Sequence, residues 1–353
     1  MKTLVYFQPS LKNDNFEGAR MRKTIKGALE IVDSKYTSNL YDDYDVAHFM
    51  SPDDESKMNI ALERDVPVVV SALFGEDDPT TRFLNYKSKD GKRTNTLKAK
   101  ALRMLNKANL VLVPTESAKE FLIENGVTKR IEVCIPGINL SRFNFSREDE
   151  KELFYRYFRE DKNKKIVMAM GEYTYNMDGI HALINAALKR PDVGFYFIGC
   201  ETLGSNVGKA KKIIRNSPKN VHFINILPDD IYRSLMLNAD VFMLPGYNVA
   251  GIISIEEAMA AKCQLIVRKS AVFPEFLRNE KTAYVAEFSE TLTSLCLDYL
   301  DEKIKPTTEE AYRKISQYNL VNFGKQLFSI YETIIAKNNK SGEIDYVRHQ
   351  SNS

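Results

Sequence analysis

Short runs of β-branched residues alternate with segments of helical period along most of the chain, and the alternation begins twice. In the first series strands are expected at residues 3–7, 44–49, 66–73, 109–113 and 131–135, with helices near 18–32, 53–63, 96–107 and 116–124. Pro114 closes the fourth strand, and Thr115 stands where a helix N-cap belongs. A charged, poorly patterned connection runs from 144 to 165. The second series then places strands at 166–170, 194–198, 221–224, 241–244, 264–267 and 283–285, with helices near 180–189, 209–216, 229–237, 253–261 and 290–302. Parallel strands need a crossover, and a helix between successive strands supplies one. The pattern therefore predicts an α/β chain with two doubly wound parallel sheets, each covered by helices on both faces.

At 353 residues the chain exceeds what one hydrophobic core ordinarily supports, which agrees with two domains. The expected boundaries are 1–145 and 146–318. A crossing helix follows at 319–336, with Phe323, Leu327, Tyr331 and Ile334 at helical spacing, and then a polar tail, 337–353, read as disordered. A net charge of +3 is not the field of a dedicated nucleic-acid binder. The basic run from Lys209 to Arg215 has no aromatic platform beside it. Cys134, Cys200, Cys263 and Cys296 are far apart in apolar surroundings and read as buried free thiols. His48, His181, His222 and His349 are equally scattered, so no metal site is expected. The N-terminus is too short for a signal-peptide core, and no apolar run approaches the roughly 20 residues of a membrane span. A cytoplasmic protein is expected, peripheral on the inner membrane face at most. Two facing α/β sheets imply a cleft at the carboxyl ends of their strands, suited to two substrates.

The run Ala239-Asp240-Val241-Phe242-Met243-Leu244-Pro245, then Gly251 and Glu257-Ala258-Met259-Ala260-Ala261, resembles the donor-binding core of glycosyltransferase family 4. Val113-Pro114-Thr115-Glu116-Ser117, Ile135-Pro136-Gly137-Ile138-Asn139 with Phe143, and Phe273-Pro274-Glu275 are similar to further stretches of that family. Ala28-Leu29-Glu30-Ile31-Val32, Tyr44-Asp45-Val46-Ala47-His48, Pro191-Asp192-Val193 and Ser217-Pro218-Lys219-Asn220-Val221 resemble its Gram-positive diglycosyl-diacylglycerol synthases. The resemblance implies the GT-B fold: two Rossmann-like domains facing a cleft, with a C-terminal helix crossing back. It also implies a retaining, metal-independent transfer of a hexose from a UDP-sugar to a membrane glycolipid or other cell-envelope acceptor, with no cofactor beyond the nucleotide sugar.

Carried over to these residues, the resemblance makes Glu257 the carboxylate for the donor ribose. The loop Val249, Gly251, Ile252 and Ile253 would hold the phosphates, with Gly171 in the first loop of the second domain. Three departures stand out. Val249 replaces the acid that meets the hexose; Asp178, with Glu172 before it, stands where a phosphate-binding cation is expected; and no His occurs in residues 70–79. Asp178 alternatively caps a helix starting near Gly179, and His48 either replaces the missing His or is a core residue. Arg20 either faces the donor phosphates or merely pairs with a surface acid. No catalytic residue is nominated. The departures also raise a second reading, a catalytically silent relative that steadies another glycosyltransferase as its partner.

Between residues 84 and 107 the chain carries Lys87, Lys89, Lys92, Arg93, Lys98, Lys100, Arg103 and Lys107 against Asp90 alone. With Leu97, Ala101, Met104 and Leu105 as an apolar stripe, this segment reads as an anionic-membrane contact. The competing reading is a helix packed on the sheet with its charges in water.

Overall fold

The computed structural model describes residues 1–7, 17–74, 86–87, 93–94, 97–143, 148–170, 177–199, 207–246, 252–269 and 274–351. In chain order the first half holds β1 (Lys2–Tyr6), α1 (Glu17–Ile31), β2 (Lys35–Thr37), β3 (Val46–Phe49), α2 (Glu55–Glu63), β4 (Val68–Ser71), β5 (Tyr86–Lys87), β6 (Arg93–Thr94), α3 (Ala99–Lys107), β7 (Leu110–Val113), α4 (Glu116–Glu124) and β8 (Ile131–Val133). A single 3₁₀ turn, Leu140–Phe143, leads to α5 (Glu148–Phe158). The second half follows with β9 (Ile166–Met170), α6 (Met177–Lys189), β10 (Gly194–Ile198), α7 (Val207–Arg215), β11 (Val221–Ile224), α8 (Asp229–Asn238), β12 (Val241–Leu244), α9 (Ile252–Ala260), β13 (Gln264–Arg268), β14 (Tyr284–Ala286), α10 (Ser289–Leu300), α11 (Thr308–Ile315) and α12 (Leu320–Ser351).

Two six-stranded sheets result, with orders β2-β1-β3-β4-β7-β8 and β11-β10-β9-β12-β13-β14, and every pairing within them is parallel. The α/β reading with two doubly wound sheets is borne out. Its cause is visible in β4, β7 and β9, whose apolar runs are buried at every position, as strands covered on both faces must be. The period of two decides which layer each residue joins. Leu4, Val68, Val70, Val111 and Val113 pack with Met104, Leu105 and Leu122 of α3 and α4. Val5, Val69, Leu110 and Leu112 face Met21, Ile25 and Leu29 of α1 and Phe323 and Leu327 of α12. This second layer continues without a break into the C-terminal sheet through Met168, Phe242 and Ile252. Thr115 caps α4 as expected, its Oγ1 accepting from the Ala118 N–H at 3.1 Å.

The chain crosses between the sheets twice, and the two crossings touch. Ile138 donates its N–H to the Tyr318 carbonyl at 3.0 Å and forms a parallel bridge with Asn319. A methyl group on Gly137 would lie 2.5 Å from the Asn319 carbonyl oxygen, so only glycine permits this approach. From there α12 returns to the first sheet. Its Tyr331 hydroxyl meets His48 Nδ1 at 2.6 Å, while His48 Nε2 meets Ser71 Oγ at 2.7 Å.

Three helices depart from expectation. The connection 144–165 contains α5; its aromatic residues crowd the end of the helix, which blurs the period, yet Phe154 is fully buried against Tyr196. Helix α11, short and highly charged, buries only Ala311 and Ile315 and shows as little periodicity. The stretch from 337, read as disordered, continues α12 to Ser351. No proline interrupts it, and once nucleated by its packed turns the helix gains a hydrogen bond with each added residue.

Candidate functional site

In open α/β sheets the ligand crevice lies beyond the carboxyl ends of the strands where the order reverses. Here the reversal falls between β1 and β3 in the first sheet and between β9 and β12 in the second. Helix α1 leaves the first of these points and α9 the second, and the two helices pack against each other. The start of α6 is held against the loop after β12. A Cβ on Gly179 would fall 2.8 Å from Pro245, so this glycine sets the width of the β9–β12 crevice.

Across the helix contact lies a buried polar cluster. Arg20 of α1 reaches over 230 residues of sequence to α9, where its Nη1 pairs with Glu257 Oε2 and its Nη2 donates to Ser254 Oγ at 2.6 Å. Tyr232 of α8 donates its hydroxyl to the same Glu257 Oε2 at 2.8 Å and also contacts Arg20 Nη1; its ring lies 5.1 Å from the guanidinium carbon. Arg20 and Glu257 are 4% and 5% exposed, so this is an interior ion pair, not a surface one. All nine residues of α9 are buried, Glu257 among them. Beside the pair opens a cavity of about 150 Å³, lined by Arg20, Lys23, Gly137, Arg142, Ile253 and Glu257 among others.

Two further contacts shape the cleft and were not legible in sequence. Arg268, at the carboxyl end of β13 and 2% exposed, donates through Nε to the Pro245 carbonyl at 2.8 Å. Its Nη1 donates to the Glu287 carbonyl at 3.3 Å and its Nη2 to Ser289 Oγ at 2.7 Å. It thereby ties the end of β13 to the residues that follow β12 and β14. Glu275 of the second domain accepts from the Ser117 N–H, in the first turn of α4, at 2.7 Å; a carboxylate there is favoured by the helix dipole. Tyr232 gives no signal in sequence because it sits on the buried stripe of α8 and reads as core. Arg268 is hidden because a charge at a strand end reads as exposed. On the first domain's side, the Tyr6 hydroxyl donates to Asp54 Oδ2 at 2.7 Å. Burial pushes the Asp54 carboxyl up, but the hydrogen bonds from Tyr6, Ser56 and the Lys57 N–H outweigh it and hold the group below its usual range.

Of the site residues expected from sequence, Arg20, Ile253 and Glu257 come together around the cavity, and Ile252 begins α9. Arg20 meets neither of its two readings: its partner is not a surface acid but Glu257, buried in the other domain. Val249, Gly251, Gly171 and Glu172 lie outside the described residues, as do 75–79 of the stretch searched for a His. Asp178 is the second residue of α6 and not its cap, because the helix starts at Met177. His48 is a core residue; complete burial pushes its imidazole down to about 3, so it is neutral and no substitute for a cleft histidine.

In the basic segment, Lys89 and Lys92 lie outside the described residues, and Lys87 and Arg93 fall on β5 and β6. Helix α3 turns Ala101, Met104 and Leu105 into the core, so its apolar stripe is not available to a bilayer. Its cations point outward: Lys98 and Lys100 are exposed, Lys100 Nζ donates to the Asp53 carbonyl, and Arg103 and Lys107 both pair with Glu55 of α2 at 3.1 and 2.8 Å. Among the described residues, no helix is long and apolar enough to cross a membrane.

Residues 150–319 match the family described as glycosyl transferases group 1. The processive diacylglycerol alpha-glucosyltransferase of Acholeplasma laidlawii is 25% identical over 346 residues, covering 95% of this chain and 99% of that protein. The alpha-galactosylglucosyldiacylglycerol synthase of Streptococcus pneumoniae is 25% identical over 168 residues, 46% of this chain and 45% of its own. Among solved structures, Anabaena Alr3699/HepE in complex with UDP and glucose superposes with a TM-score of 0.70 at 17% identity, over 94% of this chain and 99% of the other.

Proposed function

We propose that this chain, a glycosyltransferase of the GT-B fold with a group 1 domain over residues 150–319, moves a hexose from a UDP-sugar to a membrane glycolipid or another cell-envelope acceptor. The observation that carries the reading is the Glu257 carboxylate, which lines the interdomain cavity on the helix leaving the β9–β12 reversal. A carboxylate there suits the hydroxyls of a nucleotide ribose, while the N-terminus of α9 at Ile252 and Ile253, with Val249 and Gly251 just before it in sequence, suits the diphosphate. The glycolipid acceptor follows from the names of the two lipid-acting relatives. The alternative of a catalytically silent scaffold finds no support, because the relative that spans the chain bears a transferase's name.

The reaction is metal-free and proceeds with retention. The acceptor oxygen bonds to the anomeric carbon on the face from which the diphosphate departs. The electron pair of the broken C–O bond stays with the diphosphate, which takes the acceptor's hydroxyl proton. Charge growing on that group is met by the N–H groups at the start of α9 and by cations of the cavity wall, as preorganised electrostatics requires. The protein works at the cytoplasmic membrane face, held there by charge: Lys98, Lys100, Arg103 and Lys107 line one exposed edge, joined in sequence by Lys87, Lys89, Lys92 and Arg93, and a cation free of an acidic partner contributes about 1 kcal/mol beside anionic lipid.

The test is transfer from UDP-glucose or UDP-galactose to vesicles containing diacylglycerol or its monoglycosyl derivative, with product read by mass spectrometry. A glycosylated lipid that disappears with Glu257→Ala is expected. No product from any UDP-hexose, together with no binding of UDP, sinks the reading.

A further inference from the structure

Among the described residues, both hydrogen bonds that the Glu257 carboxylate accepts fall on one of its two oxygens. Arg20 Nη1 and the Tyr232 hydroxyl converge on Oε2, and neither touches Oε1, although the carboxylate lines the cavity. The donors are themselves held. Ser254, one turn before Glu257 on the same helix, accepts from Arg20 Nη2 and sets the plane of the guanidinium. Tyr232 is 1% exposed and lies within 3.5 Å of Met170 Sδ at the end of β9. A carboxylate gripped on one oxygen by a cation and a hydroxyl has no rotational freedom left, and its second oxygen is presented in one direction.

We infer that Arg20 and Tyr232 are positioning residues for Glu257, holding Oε2 so that Oε1 is presented to a ribose hydroxyl, and that Arg20, coming from the opposite domain, makes this ribose site complete only when the domains are closed. The inference rests on the donor reading given under Proposed function. It reverses the expectation that Arg20 addresses the phosphates: here it acts on the nucleotide through a carboxylate. Tyr232 likewise acts through Glu257, to which its hydroxyl donates.

The test is calorimetric titration of the full chain with UDP and with 2′,3′-dideoxy-UDP, which lacks the ribose hydroxyls. The parent chain is expected to favour UDP by about tenfold, the worth of a hydrogen bond to a charged group. Tyr232→Phe keeps the ring and the packing; it is expected to lose about tenfold for UDP while dideoxy-UDP stays within about twofold. Arg20→Lys, which keeps the charge but not the fork, is expected to lose the same preference. Melting temperature confirms that both variants are folded. A general structural role weakens both nucleotides in parallel and overturns the proposal, as does unchanged preference in Tyr232→Phe. Equal binding of both nucleotides by the parent chain removes the ribose role of Glu257, and no binding of either removes the donor reading; the proposal falls with each of these, but only unchanged preference or parallel loss in the variants sinks it alone.

Discussion

Two groups of ion pairs use the same chemistry in opposite settings. Around Glu55, Arg103 and Lys107 pair with one carboxylate at the surface, where water competes for every charge. Around Glu257, Arg20 pairs with a carboxylate from which solvent is nearly excluded. The cations of the first group lie in the most conspicuous charge run of the sequence; the second involves a single arginine whose acidic partner no local pattern reveals. Prominence in sequence and consequence in structure are thus inverted. Exposed pairs are screened and contribute little, whereas breaking an interior pair strands a charge in a poorly solvating medium.

That contrast is most directly broken by Arg20→Met. It leaves the Glu257 carboxylate without its cation, and chemical denaturation is expected to show a loss of about 3–5 kcal/mol. The double change Arg20→Met/Glu257→Gln is expected to recover a large share of that loss. Simple additivity of the two would mean the pair is not coupled.

Next in size is Arg268→Met, which abandons two buried carbonyls and a hydroxyl at the strand ends. A loss of about 3 kcal/mol is expected in the same measurement, with weaker UDP binding as the loop after β12 loosens.

His48 sharpens the comparison through pH. Its folded-state value, about 3, lies below the 6.5 of an open chain, so between those limits only the unfolded state holds the proton. Stability is therefore full above about pH 6.5 and falls as pH drops toward 3, by about 2 kcal/mol between pH 7 and pH 5. His48→Gln is expected to flatten that stretch of the profile, and an unchanged slope would assign the acid sensitivity to other groups.

The smallest effect is expected at the surface. Glu55→Gln releases two cations and changes stability by less than about 1 kcal/mol, an effect that fades at high salt. If the α3 edge faces anionic lipid, the same variant binds phosphatidylglycerol vesicles more tightly in a flotation assay; unchanged binding removes this edge from the membrane contact.

Much of this architecture could be read from residue order. Runs such as Val68–Ser71 and Leu110–Val113 announce strands buried on both faces, and intervening helical periods force parallel crossovers. Where the period is blurred, elements are hidden: α5 collects its aromatics at one end, α11 is half charged, and the sequence from 337 on is largely polar. Of the candidate site, Glu257 was recognisable from its neighbours Ala258-Met259-Ala260. Its partners were not, because Tyr232 is 25 residues away and Arg20 is 237.

Local patterns determined the order of strands and helices, the layers that each residue joins, and the helix that carries the key carboxylate, since these depend on periods of 2 and 3.6 residues that any short window contains. The docking of one domain on the other decided which oxygen of Glu257 is held and that Arg20 is its cation, while packing within the first domain decided that the stripe on α3 is core instead of membrane face. Those outcomes depend on burial and on distances between residues remote in the chain, and such quantities exist only once the two sheets have packed.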